Sequence, residues 1–187
     1  MEIYFATRNP HKVREAREIL RRFNIKFHHL DVEYPEIQSD SLSEIASEGA
    51  RYVAERHGRD VFVEDAGLFI DALKGFPGPY SSYVYETIGG RGVLKALAGV
   101  SNREATFRSV VAFCERGGRL ETFMGEALGH ISLEERGTHG FAFDSIFIPR
   151  EGDGRTFSEM SIGEKNEISH RRKSLEKFAR WLIEEAL

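Results

Sequence analysis

The chain has 187 residues, 41% of them hydrophobic and 11% aromatic, which excludes a disordered or fibrous class and suits one domain over 1–187. A formal charge of −4 gives no global attraction for nucleic acid or anionic lipid, so a polyanionic ligand needs a local cluster of cations. No apolar run reaches membrane-spanning length, no signal-like start is present, and the single cysteine, Cys114, cannot close an internal disulfide, so a cytoplasmic protein is expected.

In chain order, Glu2 to Thr7 reads as a buried strand. Asn9 then suits a helix N-cap and Pro10 a first helical turn, with Val13, Ala16, Ile19, Leu20 and Phe23 following at helical spacing. Thr7 to Lys12 is thus a strand-to-helix turn whose open backbone amides and positive dipole end favour an anion, with Lys12 able to lean over it. Ile25 to Leu30 resumes a strand. Its adjacent His28 and His29 face opposite ways and have no partners at metal-ligand spacing, so they are read as structural or surface residues. Pro35 extends the next segment and makes Glu36 a loop carboxylate, and Ser41 with Glu44 opens a helix to about His57 as a capping box.

The run Val61 to Leu68 reads as a buried strand whose end delivers Glu64 and Asp65. Side chains alternate along a strand, so one of the two carboxylates heads a site and the other turns away. Beyond it, Lys74 to Tyr80 is a turn-rich loop leading into Ser81 to Ile88, and Gly89, Gly90 and Gly92 punctuate helix ahead of Val93 to Ala98. Ala105 to Glu115 and Leu120 to Ser132 flank Gly117 and Gly118 as a long hairpin. Phe141 to Asp144 leads into a short strand, Ser161 with Glu164 caps a short helical turn, and Ser169 caps a terminal helix. His170 and Arg171 fall in the first turn of that helix, where cations oppose the dipole. They are read either as ligand-binding or as a solvated basic helix start.

Together these residues supply an anion-binding turn, paired carboxylates, an aromatic pair beside an aspartate and a basic C-terminal cluster. Carboxylates bind magnesium and orient water, lysine neutralises phosphate charge, and aromatic rings stack on bases. Thr7-Arg-Asn with Lys12, Tyr34-Pro-Glu-Ile-Gln38, Val63-Glu-Asp65, Gly75-Phe-Pro-Gly-Pro-Tyr80, Phe141-Ala-Phe-Asp144, Glu164-Lys-Asn166 and Ser169-His-Arg171 follow one another along the chain. In this series the sequence resembles the inosine triphosphate pyrophosphatase family, which hydrolyses non-canonical purine nucleoside triphosphates to monophosphate and pyrophosphate.

The resemblance implies an α/β fold, an elongated mixed β-sheet flanked by helices in two lobes with a central active-site cleft, and a homodimer. By residue it implies that Thr7, Arg8, Asn9 and Lys12 hold the triphosphate. Glu36 and Asp65, with Glu64 as a further candidate, would hold Mg2+, and Asp65 would be the general base. Ala66, Phe141, Ala142, Phe143, Asp144, Lys165, His170 and Arg171 would form the rest of the substrate site, with Lys165, His170 and Arg171 reading the purine edge. Ala142, Phe143 and Ser145 stand where the family has glycine, a larger polar aromatic and proline, so altered base or ribose contacts are expected. The rival readings are a pyrophosphatase for modified pyrimidine triphosphates and a non-catalytic nucleotide-sensing module; no nucleic-acid or membrane partner is expected.

Overall fold

The computed structural model describes residues 2–185; Met1, Ala186 and Leu187, the ends of the expected domain, lie outside the described residues. Among the described residues a seven-stranded mixed sheet is accompanied by five α-helices. Strand β1 (Ile3–Ala6) runs parallel to β2 (His28–Leu30) and to the start of β3 (Asp60–Ile70), with Phe5 opposite Phe62. The order along the sheet is β2-β1-β3-β5-β6-β7, with β5 Glu104–Cys114, β6 Leu120–Ile131 and β7 Phe147–Pro149; β4 (Pro77–Gly78) pairs antiparallel with the far end of β3.

One expectation needs correction. Glu64 and Asp65 do not end a strand; β3 continues past them to Ile70. The strand changes partners, pairing with β1 up to Phe62 and with β4 at Leu68 and Phe69. Gly67 permits that second pairing, because a Cβ there would run into the backbone of Gly78.

The chain divides into two compact units. The first comprises the residues up to Asp65, Ser109–Gly125 and those from Arg171 onward; the second comprises Ala66–Arg108 and Glu126–His170. In the first unit the core is formed by Ile3, Phe5, Phe62, Val111 and Phe113 with the inner faces of α1 (Pro10–Arg21) and α5 (His170–Glu185). Phe5 and Phe62 stack at 4.5 Å between centroids, and each fully buried ring contributes roughly 1.5–3 kcal/mol. Helix α2 (Leu42–His57) starts at the Ser41 cap as expected. The Glu44 carboxylate, however, accepts from the Ser39 hydroxyl.

In the second unit, Leu68, Ile70, Phe107, Phe143, Phe147 and Phe157 form the core with Val84 and Val93 of α3 (Ser81–Ala96). The glycine punctuation expected in α3 is a break at Gly89, whose φ of 64° takes the backbone out of the helix. Helix α4 (Ile162–Ile168) carries the complete capping box of Ser161 and Glu164. Among the described residues no helix is long and apolar enough to cross a membrane.

Candidate active site

The first unit holds a buried cluster of four charges from three elements. On α1, Lys12 and Glu15 lie one turn apart on the same side of the helix. Lys12 Nζ sits 3.0 Å from Glu64 Oε2 and donates to the Glu64 carbonyl at 2.7 Å. Glu15 Oε2 meets Arg171 Nη1 at 2.5 Å, and Arg171 Nε lies 3.2 Å from Glu64 Oε1. The Ser109 hydroxyl donates to the same Oε1 at 2.6 Å. Glu64 is only 3% exposed and Arg171 only 2%. Burial alone would push the Glu64 carboxyl up; Arg171, Lys12 and the Ser109 hydroxyl outweigh it and hold the group well below the usual carboxylate range. Burial likewise disfavours the Arg171 cation, but Glu64 and Glu15 keep it charged. Two positive and two negative groups thus compensate one another, which a buried cluster requires.

Arg171 is therefore not part of a solvated basic helix start. Its side chain is buried between two carboxylates, and the cost of opposing the helix dipole is offset by these partners.

The turn before α1 is more self-contained than expected. Asn9 Oδ1 accepts from the amides of His11 and Lys12 at 2.9 and 3.3 Å, and the Thr7 hydroxyl takes the Asn9 amide at 3.1 Å. These donors are satisfied inside the turn, so its attraction for an anion rests on the helix dipole and the side chains of Lys12 and Arg8. Arg8 pairs with Glu33 at 3.2 Å across exposed surface, an interaction worth little. His29 Nε2 lies 2.8 Å from the Thr7 carbonyl and ties the turn to β2.

Glu36 is exposed in the irregular segment before α2. Two residues earlier, the Tyr34 ring lies where a side chain on Gly49 of α2 would be: a Cβ there would come within 2.7 Å of Tyr34 Cε2. Burial pushes the Tyr34 phenol well up, and the negative fields of Glu36, Asp65 and Glu64 add to that shift. Glu36 and Asp65 thus act on one shared neighbourhood. Among the described residues no group of three His, Cys, Asp or Glu side chains closes into a metal cage. Magnesium usually takes only one or two carboxylates and keeps waters and phosphates as its other ligands, so two carboxylates such as Glu36 and Asp65 would be a sufficient donor set.

The second unit carries an aromatic counterpart. Lys165 Nζ meets Asp144 Oδ2 at 2.6 Å, both side chains being buried, and lies 4.9 Å from the Phe141 ring centroid and 5.5 Å from that of Phe157. Asp144 also accepts the Phe141 amide at 3.0 Å, which closes the turn. Ala142 has φ 52°, the left-handed conformation that glycine adopts most easily. His170 stacks on Phe107 at 4.6 Å inside the aromatic core. Phe143 is fully buried with Tyr85 edge-on at 5.3 Å, and its apolar ring suits the core.

A sequence model described as the Ham1 family matches residues 3–181. The chain belongs to the Ham1 family. Relatives include a dITP/XTP pyrophosphatase of Methanopyrus kandleri, 57% identical over 97% of this chain and 96% of that protein. Another dITP/XTP pyrophosphatase, from Thermococcus kodakarensis, is 51% identical over 98% of each chain. The solved structure of a HAM1 protein from Coxiella burnetii superposes with a TM-score of 0.85 at 33% identity, covering 98% of this chain and 99% of that one.

In this Ham1 chain the structure brings Lys12, Glu64 and Arg171 together in the first unit and Phe141, Asp144 and Lys165 together in the second. Ala66 opens the second unit directly after Asp65. Sequence reasoning missed Glu15, Tyr34 and Ser109. The available signal for Glu15 was a carboxylate inside the apolar stripe of α1, three residues after Lys12 and four before Ile19. Ser109, a small polar residue within a buried strand, gave a weaker signal.

Proposed function

We propose that the chain hydrolyses non-canonical purine nucleoside triphosphates such as dITP, XTP and ITP to the monophosphate and pyrophosphate. The observation that carries this reading is the fixing of Lys12, at the start of α1, on Glu64 immediately beside Asp65. A cation for phosphate, carried by α1 and held on Glu64, is thereby brought to the strand position next to the carboxylate for water, Asp65. The activity named for the relatives above agrees with it.

In this reading Thr7, Arg8, Asn9 and Lys12 receive the triphosphate, and Asp65 takes the proton from the water that attacks the α-phosphorus. Glu36 and Asp65 hold the magnesium ion, which when bound neutralises phosphate charge. Glu64 is assigned to support, because its two oxygens already face Lys12, Arg171 and Ser109. Arg171 shares that role, which places the reading of the base on Phe141, Ala142, Asp144, Lys165 and His170, with Phe143 supporting their turn from the core. An ammonium offers only donors, so Lys165 donates to a 6-keto oxygen and leaves a 6-amino group unsatisfied. A buried donor left facing a donor costs about 1–3 kcal/mol, or roughly tenfold to a hundredfold against ATP.

The test is pyrophosphate release from ITP, dITP, XTP, GTP, ATP and modified pyrimidine triphosphates, with and without magnesium. Preference for keto purines and loss of turnover on chelation are expected. Preference for pyrimidines would overturn the substrate assignment, and release of no pyrophosphate from any of them would leave a sensing module. The reading includes a homodimer in the cytoplasm, for which sedimentation of the purified chain is the direct measurement of assembly.

A further inference from the structure

Two buried hydroxyls lie behind Glu64, and counting their hydrogens decides how they are used. Ser109 Oγ is 2.6 Å from Glu64 Oε1 and 2.8 Å from Ser174 Oγ, and Ser174 Oγ is 3.0 Å from the Arg171 carbonyl oxygen. Both serines are wholly buried. An ionised carboxylate only accepts, so the hydrogen of Ser109 goes to Glu64. Ser174 must then be the donor between the two serines, its one hydrogen shared between Ser109 Oγ and the Arg171 carbonyl. Ser109 is thus a strut pointed one way.

At Oε1 the Ser109 hydroxyl donates and the Arg171 guanidinium lies 3.2 Å away as an ion pair, and together they set the plane of the carboxylate. That plane decides where Oε2 lies, and Oε2 together with the Glu64 carbonyl holds the Lys12 ammonium. One ammonium hydrogen goes to the carbonyl while Oε2 fixes the charge as an ion pair, and the side chain, 17% exposed, can present its remaining hydrogens to a ligand.

We propose that Ser109 is a positioning residue for triphosphate binding, acting through the Glu64 carboxylate to fix the ammonium of Lys12. The inference rests on the reading that Lys12 serves the triphosphate. Nothing in the strand pattern of β5 requires a hydroxyl at this position, where the neighbouring Val110, Val111 and Ala112 are apolar core.

The experiment is a double-mutant cycle of Ser109→Ala and Lys12→Ala, with KM and kcat for ITP and a melting curve for each protein. Ser109→Ala is expected to raise KM by about threefold to tenfold while kcat stays within about a factor of two, the pattern of lost ground-state binding. Lys12→Ala should raise KM further, and the double variant should be no worse than Lys12→Ala alone. Ser109→Thr, which keeps the hydroxyl, should restore KM, and Ser174→Ala should leave it near the starting value. Ser109→Cys keeps the volume with a weak donor and should follow Ser109→Ala if the alanine variant does not fold. A lowered melting temperature with unchanged KM, or effects of Ser109→Ala and Lys12→Ala that multiply, would overturn the proposal. If Lys12→Ala itself leaves KM unchanged, the phosphate role of Lys12 falls and this inference falls with it. A KM that rises for Lys12→Ala but not for Ser109→Ala defeats the positioning role alone.

Discussion

The two units solve the burial of charge differently. In the first, four charges come from residues as distant as Glu15 and Arg171, and each carboxylate is held by side chains from other elements. In the second, one pair, Lys165 with Asp144, is flanked by Phe141 and Phe157 and completed by a backbone amide three residues away. The first arrangement is cooperative, since removing any member exposes another to an uncompensated interior. The second is local, and its aspartate keeps a donor when its lysine is lost. A cluster of the first kind suits fixed charge beside a reacting phosphate, and one of the second kind suits a flat apolar ligand with a polar edge.

The largest expected difference is catalytic. Asp65→Asn should lower turnover by about 10²- to 10⁴-fold, the usual range for a lost general base, with little change in melting temperature. Retention of more than about a tenth of activity at saturating magnesium would take the chemistry away from the first unit. Stability separates the clusters next. Arg171→Ala leaves Glu15 and Glu64 buried without their shared cation and should cost about 3–5 kcal/mol, whereas Lys165→Met should cost about 1–3 kcal/mol because Asp144 retains the Phe141 amide. Denaturant unfolding of both variants measures this, and equal losses would erase the distinction between cooperative and local pairing.

A smaller effect is confined to acid. The folded-state carboxyl of Glu64 is lowered, so its contribution is fully present above the ordinary glutamate value of about 4.3 and disappears as pH falls through the folded value. The melting temperatures of the native chain and Glu64→Gln should therefore differ at neutral pH and converge below about pH 4. A gap that stays constant down to the lowest accessible pH would show that Glu64 is not the titrating member. The smallest change expected is Ala142→Gly in the second unit. Relief of the left-handed backbone, partly cancelled by glycine's extra freedom when unfolded, should stabilise by about 0.5 kcal/mol, a rise of a few degrees at most. A fall in melting temperature would show that the Ala142 methyl packs usefully.

What was legible in the sequence was local. Asn9 with Pro10, Ser41 with Glu44 and Ser161 with Glu164 open the helices expected of them, because a cap and its first turn are neighbours along the chain. The hairpin around Gly117 and Gly118 was readable for the same reason, its closing bond running from the Glu115 amide to the Arg119 carbonyl. The continuation of β3 through Glu64 and Asp65 was not, since it depends on the close approach of Gly78 to Gly67. Nor was the burial of Arg171, because a basic residue in a first helical turn looks solvated until the carboxylate 156 positions earlier is brought to it. The candidate residues were readable as a set, while their grouping into a charged cluster in the first unit and an aromatic one in the second came only from the tertiary contacts.

The bond between Glu15 and Arg171 also has a bearing on synthesis. During translation the whole of the second unit, which ends at His170, has been made before Arg171 is added. Until then Glu15 and Glu64 lack the guanidinium that makes their burial tolerable. A nascent chain is thus expected to fold its second unit early and to leave its first unit loose until helix α5 arrives. Amide exchange on a chain stopped after His170 would record this as protection confined to the second unit. Such an order has a protective side, since a prematurely terminated product could not assemble the charged cluster.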